Sequence, residues 1–178
     1  MIKAQRGFSL PELMIVLGIM TILLAMAIPS IQATIQSFRL LGDVRGIAAL
    51  QAQARMRAGS SFSRAEVNFD QAASTYQVEV WCKSASAYVP EGGAHSLSQG
   101  DVYGYAPLTT PAGGQTTIGQ TTQIIFNSRG QCVDGTGNVT GNDAIYITNN
   151  QGAYLAVTVS PTGRTLVWKY VGNTWVAF

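Results

Sequence analysis

Residues 6–16 read Arg6-Gly7-Phe8-Ser9-Leu10-Pro11-Glu12-Leu13-Met14-Ile15-Val16, and the apolar run they open continues to Ile28 and Pro29. From Phe8 to Ile28 the sole ionisable side chain is Glu12. As a helix this segment rises about 30 Å, the thickness of a bilayer's hydrocarbon core. Lys3 and Arg6 precede it, which predicts a cytoplasmic N-terminus with the rest of the chain on the far side. Three readings compete. Ala25-Met26-Ala27 has the small-x-small form of a secretory cleavage site. The run also reads as a plain anchor, or as a helix kept on the mature chain after a short basic leader is cut ahead of Phe8.

Glu12 helps to separate these readings. A carboxylate inside an apolar segment is costly unless it finds a partner, and in a secretory signal it has no role. A cut after Gly7 creates an α-amino group close before Glu12, and the two charges would neutralise each other between neighbouring subunits. The bland alternative is a glutamate at the interface whose head reaches water.

Beyond Pro29 the apolar residues fall at Ile31, Ile35, Phe38, Leu41, Val44 and Ala48, the steps of three and four that mark one face of a helix. The alanine-rich run from Ile47 to Met56 extends it until Gly59-Ser60-Ser61, which reads as a stop. Pro29 predicts a kink. Residues 8–58 would span about 75 Å, too long to bury that stripe against one small domain. Packing against other copies or partners is therefore implied, a simple stalk being the alternative.

After Ser60 the period changes to two. Ala65–Asp70, Tyr76–Cys82, Thr122–Phe126, Ala144–Thr148, Tyr154–Val159 and Thr165–Tyr170 read as strands, with Thr174–Phe178 a short last one. Asn149-Asn150-Gln151-Gly152 and Ser160-Pro161-Thr162-Gly163 are turns. Ser84–Gln120, rich in Gly and Pro, reads as one long loop and as a partner-facing surface. Cys82 and Cys132 lie beyond the membrane on this topology, in an oxidising compartment, and are disulfide candidates, two reduced buried thiols being the alternative.

Composition closes several routes. Only 11% of the 178 residues are charged, against about 25% in ordinary soluble domains. One histidine and two cysteines leave no multi-histidine or four-ligand zinc site, and no metal, cofactor or catalytic residue is assigned. Asp134-Gly135-Thr136-Gly137-Asn138 begins like a calcium loop, but Val139 and Ile145 break the pattern. His95 stands in Gly92-Gly93-Ala94-His95-Ser96 without a partner ligand near it in sequence. From Ser60 onward acids outnumber bases, for a charge of −2, which argues against bulk electrostatic binding of nucleic acid.

Leader charge, Gly7, Phe8, Glu12 and the apolar run occur in the order of a type IV prepilin signal, which this N-terminus resembles. The resemblance implies a dedicated prepilin peptidase that cuts between Gly7 and Phe8 and methylates Phe8, with Glu12 as the assembly glutamate. Pro11 stands where many major pilins have an aliphatic residue. Further along, Arg45–Met56, Val67-Asn68-Phe69-Asp70, Ile124-Ile125-Phe126-Asn127-Ser128-Arg129-Gly130 and Ala156–Arg164 resemble the GspH/FimT group of minor pilins. That group implies an α+β, type IV pilin-like fold: a long N-terminal helix, transmembrane then amphipathic, followed by an antiparallel two-sheet β domain.

The expected organisation is a cleaved leader at 1–7, a membrane and assembly helix at 8–28, an amphipathic continuation at 29–59 and a β domain at 60–178. The implied role is that of a minor pseudopilin, a non-catalytic structural subunit at the tip or initiation of a type II secretion pseudopilus, supporting protein secretion. Its partners would be other pilin or pseudopilin subunits, the prepilin peptidase and the membrane. It would be single-pass in a bacterial inner membrane with a periplasmic β domain, then part of a fibre. The alternative is a FimT-like type IV pilus subunit acting in pilus assembly or DNA uptake. FimT-like DNA receptors use a Gly-Arg-x-Arg tail, whereas here Gly163-Arg164-Thr165-Leu166 lacks the second arginine. Arg164 and Lys169 are the candidate DNA contacts in that alternative, with Arg129 nearby in character and Trp168, Tyr170 and Trp175 as possible stacking surfaces. Strand packing is the plainer role for those aromatics. A conventionally secreted β protein, beginning near Ile28, is the third reading.

Overall fold

A computed structural model describes residues 9–141 and 143–178. Gly7 and Phe8 lie outside the described residues. One helix, α1 (Leu10–Ser60), is followed by ten strands: β1 (Ala65–Asp70), β2 (Thr75–Cys82), β3 (Ala87–Ser96), β4 (Asp101–Tyr103), β5 (Gln123–Phe126), β6 (Cys132–Val133), β7 (Asp143–Asn149), β8 (Tyr154–Val159), β9 (Thr165–Val171) and β10 (Thr174–Ala177). The chain divides into two compact units, residues 1–36 and 37–178.

In the first unit α1 starts at Leu10 and runs through Pro29 without a break. Its large apolar side chains from Leu10 to Ile28 are 45–77% exposed. In the second unit the helix ends on a Schellman motif. Ser63 N–H donates to Ala58 O at 3.2 Å and Phe62 N–H to Gly59 O at 3.3 Å, with Phe62 left-handed at φ 48°. That geometry satisfies the last carbonyls with a non-glycine residue in the position where glycine is usual.

Two antiparallel five-stranded sheets follow, in the orders β3-β2-β1-β5-β6 and β10-β9-β8-β7-β4. Alternation sets their inner faces. Ala65, Val67, Phe69, Val78, Ile124 and Phe126 from the first sheet, and Ile145, Ile147, Leu155, Val157 and Val159 from the second, form one core with Leu40, Val44, Ile47, Ala54 and Ala58 of α1. The buried helix face is therefore 40-44-47-51-54-58, rotated from the stripe read in the sequence. Ile31, Ile35 and Phe38 are exposed, and Leu41 and Ala48 are only half-buried against the core. Ala54 and Ala58 end that face, both fully buried in the core.

The segment 84–120 differs from the expected loop. β3 and β4 lie within it, and residues 104–120 cover the outer face of the second sheet. Gly92 and Gly93 signalled a loop, but they sit where the β2–β3 register shifts between Tyr76 and Val78, a bulge that glycine accommodates. Pro90 is tolerated because β3 is an edge strand. The cover is anchored by polar ends of aromatics. Trp175 Nε1 donates to Thr110 O at 2.8 Å, Tyr154 Oη to Ala106 O at 2.8 Å, and Ala112 N–H to Tyr146 Oη at 2.9 Å. Ala112, Ala144, Tyr146 and Ala156 form a small second core there, with Tyr105, Ile118, Trp168 and Trp175 packed on it.

The Cys82–Cys132 bridge is not formed, and both thiols are free. Strand order is the reason. Cys132 aligns with Phe126, Phe126 with Ala65 and Ala65 with Val80, so three strand spacings, about 14 Å, separate the two cysteines' strands. A disulfide requires Cα atoms within about 7 Å.

Candidate functional site

The first turn of α1 is set by Ser9-Leu10-Pro11-Glu12. Glu12 Oε2 accepts from Ser9 N–H and from Ser9 Oγ, each at 3.4 Å. Ser9 O accepts Glu12 N–H at 3.1 Å and Leu13 N–H at 3.2 Å. This is the glutamate half of a capping box, the side chain three residues on reaching back to the N–H of the cap residue, and it puts a carboxylate at the positive end of the helix dipole. Proline in that first turn removes a donor that has no intrahelical partner anyway. The Ser-x-x-Glu spacing of Ser9 and Glu12 is its signal in the sequence. After Glu12, α1 contains an 18-residue window of mean hydropathy 2.4, none of it buried within the chain.

In the second unit, two turns far apart in sequence meet. Gly130 N–H donates to Asn127 O at 2.8 Å, and Gly163 N–H to Ser160 O at 2.8 Å. Both glycines are left-handed, at φ 75° and 76°. A Cβ on Gly163 would stand 2.0 Å from Gly130 O, so the turns are in backbone contact. Arg55 of α1 reaches over them, its Nη2 donating to Thr162 O at 3.2 Å. Around this junction lies a cleft of about 630 Å³ lined by Arg55, Arg129 and Arg164, with Ser128 and Thr165. All three arginines are exposed, and no Asp or Glu side chain lines the cleft. Three guanidinium groups without a countercharge suit planar anions such as carboxylate or phosphate.

Arg164 and Lys169 are not brought together. Lys169 lines a separate, apolar cleft with Phe38, Leu41, Leu155 and Phe178. The companions of Arg164 are Arg129 and Arg55, and Arg55 had no sequence signal beyond lying near the helix end. Trp168 and Trp175 serve packing, since Trp168 Nε1 donates to Thr158 Oγ1 at 2.8 Å and Trp175 holds the cover segment. His95 is exposed and stacks on Tyr76 with ring centroids 5.6 Å apart. Asp134 caps its own turn, its Oδ1 accepting from Thr136 Oγ1 at 2.6 Å and from Asn138 N–H at 2.9 Å. Those bonds, the threonine hydroxyl first, hold its carboxyl below the usual range.

Two pairs of buried carboxylates escaped sequence reasoning. Asp101 is pushed up to about 7 by burial, by its hydrogen bond to Asp43 and by that residue's charge. Glu66 is pushed up to about 7 by burial and by Glu79, which faces it across β1 and β2. Asp43 also accepts from Ser98 N–H at 2.6 Å and Ser98 Oγ at 2.9 Å, tying α1 to the β3–β4 turn.

Comparison with known proteins bears on both units. Residues 2–28 match the family described as the prokaryotic N-terminal methylation motif. The described chain is similar to the minor pseudopilin EpsH from the Type 2 Secretion System of Vibrio cholerae, with a TM-score of 0.50 at 12% identity, over 78% of this chain and 97% of that one. This is a type IV pilin-like fold. No curated protein matches the chain. The methylation motif implies processing by a prepilin peptidase and assembly with other pilin-type subunits, and the one long apolar helix among the described residues implies membrane anchoring.

Proposed function

We propose that this chain is a minor pseudopilin of the GspH type, a non-catalytic subunit near the tip of a type II secretion pseudopilus. Residues 1–7 are its leader, 8–28 its membrane and assembly helix, 29–59 the continuation of the rod and 60–178 the β domain. It enters the inner membrane with its N-terminus cytoplasmic, is cut between Gly7 and Phe8 and methylated on Phe8, and then joins the fibre through α1, where Glu12 meets the new amine of a neighbouring subunit. The observation that carries this reading is an apolar helical segment whose large side chains from Leu10 to Ile28 are 45–77% exposed, in a chain that continues into a folded two-sheet domain. Intact mass and N-terminal sequencing of the protein recovered from membranes test it. The expected chain begins at N-methylated Phe8, and one beginning near Ile28 would overturn the reading.

A second reading, a FimT-like pilus subunit that receives DNA, gains support from the cleft of Arg55, Arg129 and Arg164. The cleft supplies the cations that the Gly163-Arg164-Thr165-Leu166 tail lacks. Titration of the protein with double-stranded DNA separates the two. The secretion reading expects no binding, whereas the uptake reading expects salt-dependent binding weakened by Arg164→Ala and by Arg129→Ala.

A further inference from the structure

The second sheet is only partly roofed by α1. In register, Leu155 of β8 lies opposite Lys169 of β9, and Lys169 opposite Val176 of β10. Leu155 is buried, but Val171 and Val176, further out on the same inner face, are 51% and 52% exposed. Phe38 is 69% exposed and Phe178 57%. These side chains, with Leu41, line a groove of about 560 Å³ that no Asp or Glu side chain enters. Its one cation is Lys169, an exposed ammonium set among aliphatic and aromatic groups.

We propose that this groove receives an α-helix of another pilin-type subunit, which lays an aliphatic stripe on Phe38, Val171, Val176 and Phe178 and directs a carboxylate at Lys169. The proposal rests on the assembly reading above and names the surface that assembly uses on the β domain. Three observations select this occupant. The groove lies between a helix and the bare inner face of an edge strand pair, so a second helix there extends the helix layer over the sheet at the usual spacing of about 8–10 Å. Phe38, on the part of α1 that belongs to the same unit as the sheets, is 69% exposed at the groove, so the helix that roofs the sheet also presents an apolar side chain to a second helix laid beside it. Lys169 among apolar neighbours calls for a countercharge that the groove itself does not hold, and an incoming carboxylate provides it.

The test is site-specific photocrosslinking of the full-length chain in native membranes, with p-benzoylphenylalanine at Val171 or Val176. The expected adducts map by mass spectrometry to an α1 helix of another pilin-type subunit. Lys169→Glu lowers their yield about tenfold while Lys169→Arg keeps it. Adducts to lipid, to nucleic acid or to a β domain overturn the proposal. A probe at Leu17 reports the assembly helix separately. Capture at Leu17 with silence at Val171 and Val176 overturns the groove alone, and silence at all three positions overturns the assembly reading and the groove with it.

Discussion

Gly163 and Gly130 touch through their backbones, with a Cβ on Gly163 placed 2.0 Å from the Gly130 carbonyl oxygen. No side chain can yield there, because the obstacle is main chain. Gly163 is left-handed as well, so a substitution meets both a clash and an unfavourable φ. Gly163→Ala is expected to destabilise the protein by about 3 kcal/mol. Gly152, at φ 72° with open space around it, separates the two effects. Gly152→Ala is expected to cost about 1 kcal/mol, and urea unfolding of the pair measures the difference.

The cysteines make a second prediction, one of reactivity. Burial, with the charge of Asp143 and the hydrogen bond to it, pushes the Cys132 thiol up to about 12. The Cys82 thiol is lowered by the Ser84 hydroxyl and nearby backbone donors. Thiolate content governs alkylation, so the folded protein is expected to take one iodoacetamide, at Cys82, at neutral pH. Unfolding without reductant should expose a second reactive thiol at Cys132. A chain that gains the second only after reduction would carry the bridge that the strand order argues against.

The same strand order shows where sequence was a sufficient guide. Val67 and Val78 alternate with polar neighbours, so β1 and β2 could be placed from their period alone. β3 could not, because Pro90 and Gly92-Gly93 are loop signals unless the strand is an edge with a bulge, which only its partner reveals. The face of α1 that meets the sheets is harder to read. Ile31, Ile35 and Phe38 are prominent apolar residues in the stripe and are exposed, whereas the buried face ends on Ala54 and Ala58, which as alanines carry little apolar signal in the sequence. The arginine cleft was half legible. Arg164 and Arg129 stood out beside turn glycines, but Arg55 joins them through a tertiary contact that no local pattern encodes.

The Asp43–Asp101 pair gives stability a pH dependence. In the folded chain Asp101 keeps its proton up to about 7, whereas in an unfolded chain an aspartic acid releases it near 3.9. Between those values the folded state binds more protons, so this pair's contribution is full below about pH 4 and is lost as pH rises through about 7. Glu66 acts in the same direction. The charged and titratable groups interacting with the aspartate pair are Arg39, Tyr76 and Tyr103, and Arg39 moderates the effect. Asp101→Asn keeps a donor for Asp43 without a charge to bury. It is expected to match the natural chain near pH 4 and to be more stable than it at pH 8 by about 2 kcal/mol. Parallel melting curves across that range check it, and equal gains at both ends would show that Asp101 does not titrate as stated.

The cover over the second sheet should open as a unit. Trp175 Nε1 to Thr110 O, Tyr154 Oη to Ala106 O and Ala112 N–H to Tyr146 Oη fasten residues 104–120 to β7, β8 and β10, and β7 and β8 are held independently by the main core. Trp175→Phe keeps most of the apolar area and removes the indole donor, leaving Thr110 O to water. Loss of one such bond is worth about 1 kcal/mol. Hydrogen–deuterium exchange is therefore expected to rise about fivefold in residues 104–120 while β7 and β8 exchange as before. Faster exchange spread evenly over the second sheet would mean that cover and sheet are one cooperative unit, and that the segment read as a loop is as much a part of the fold as the strands beneath it.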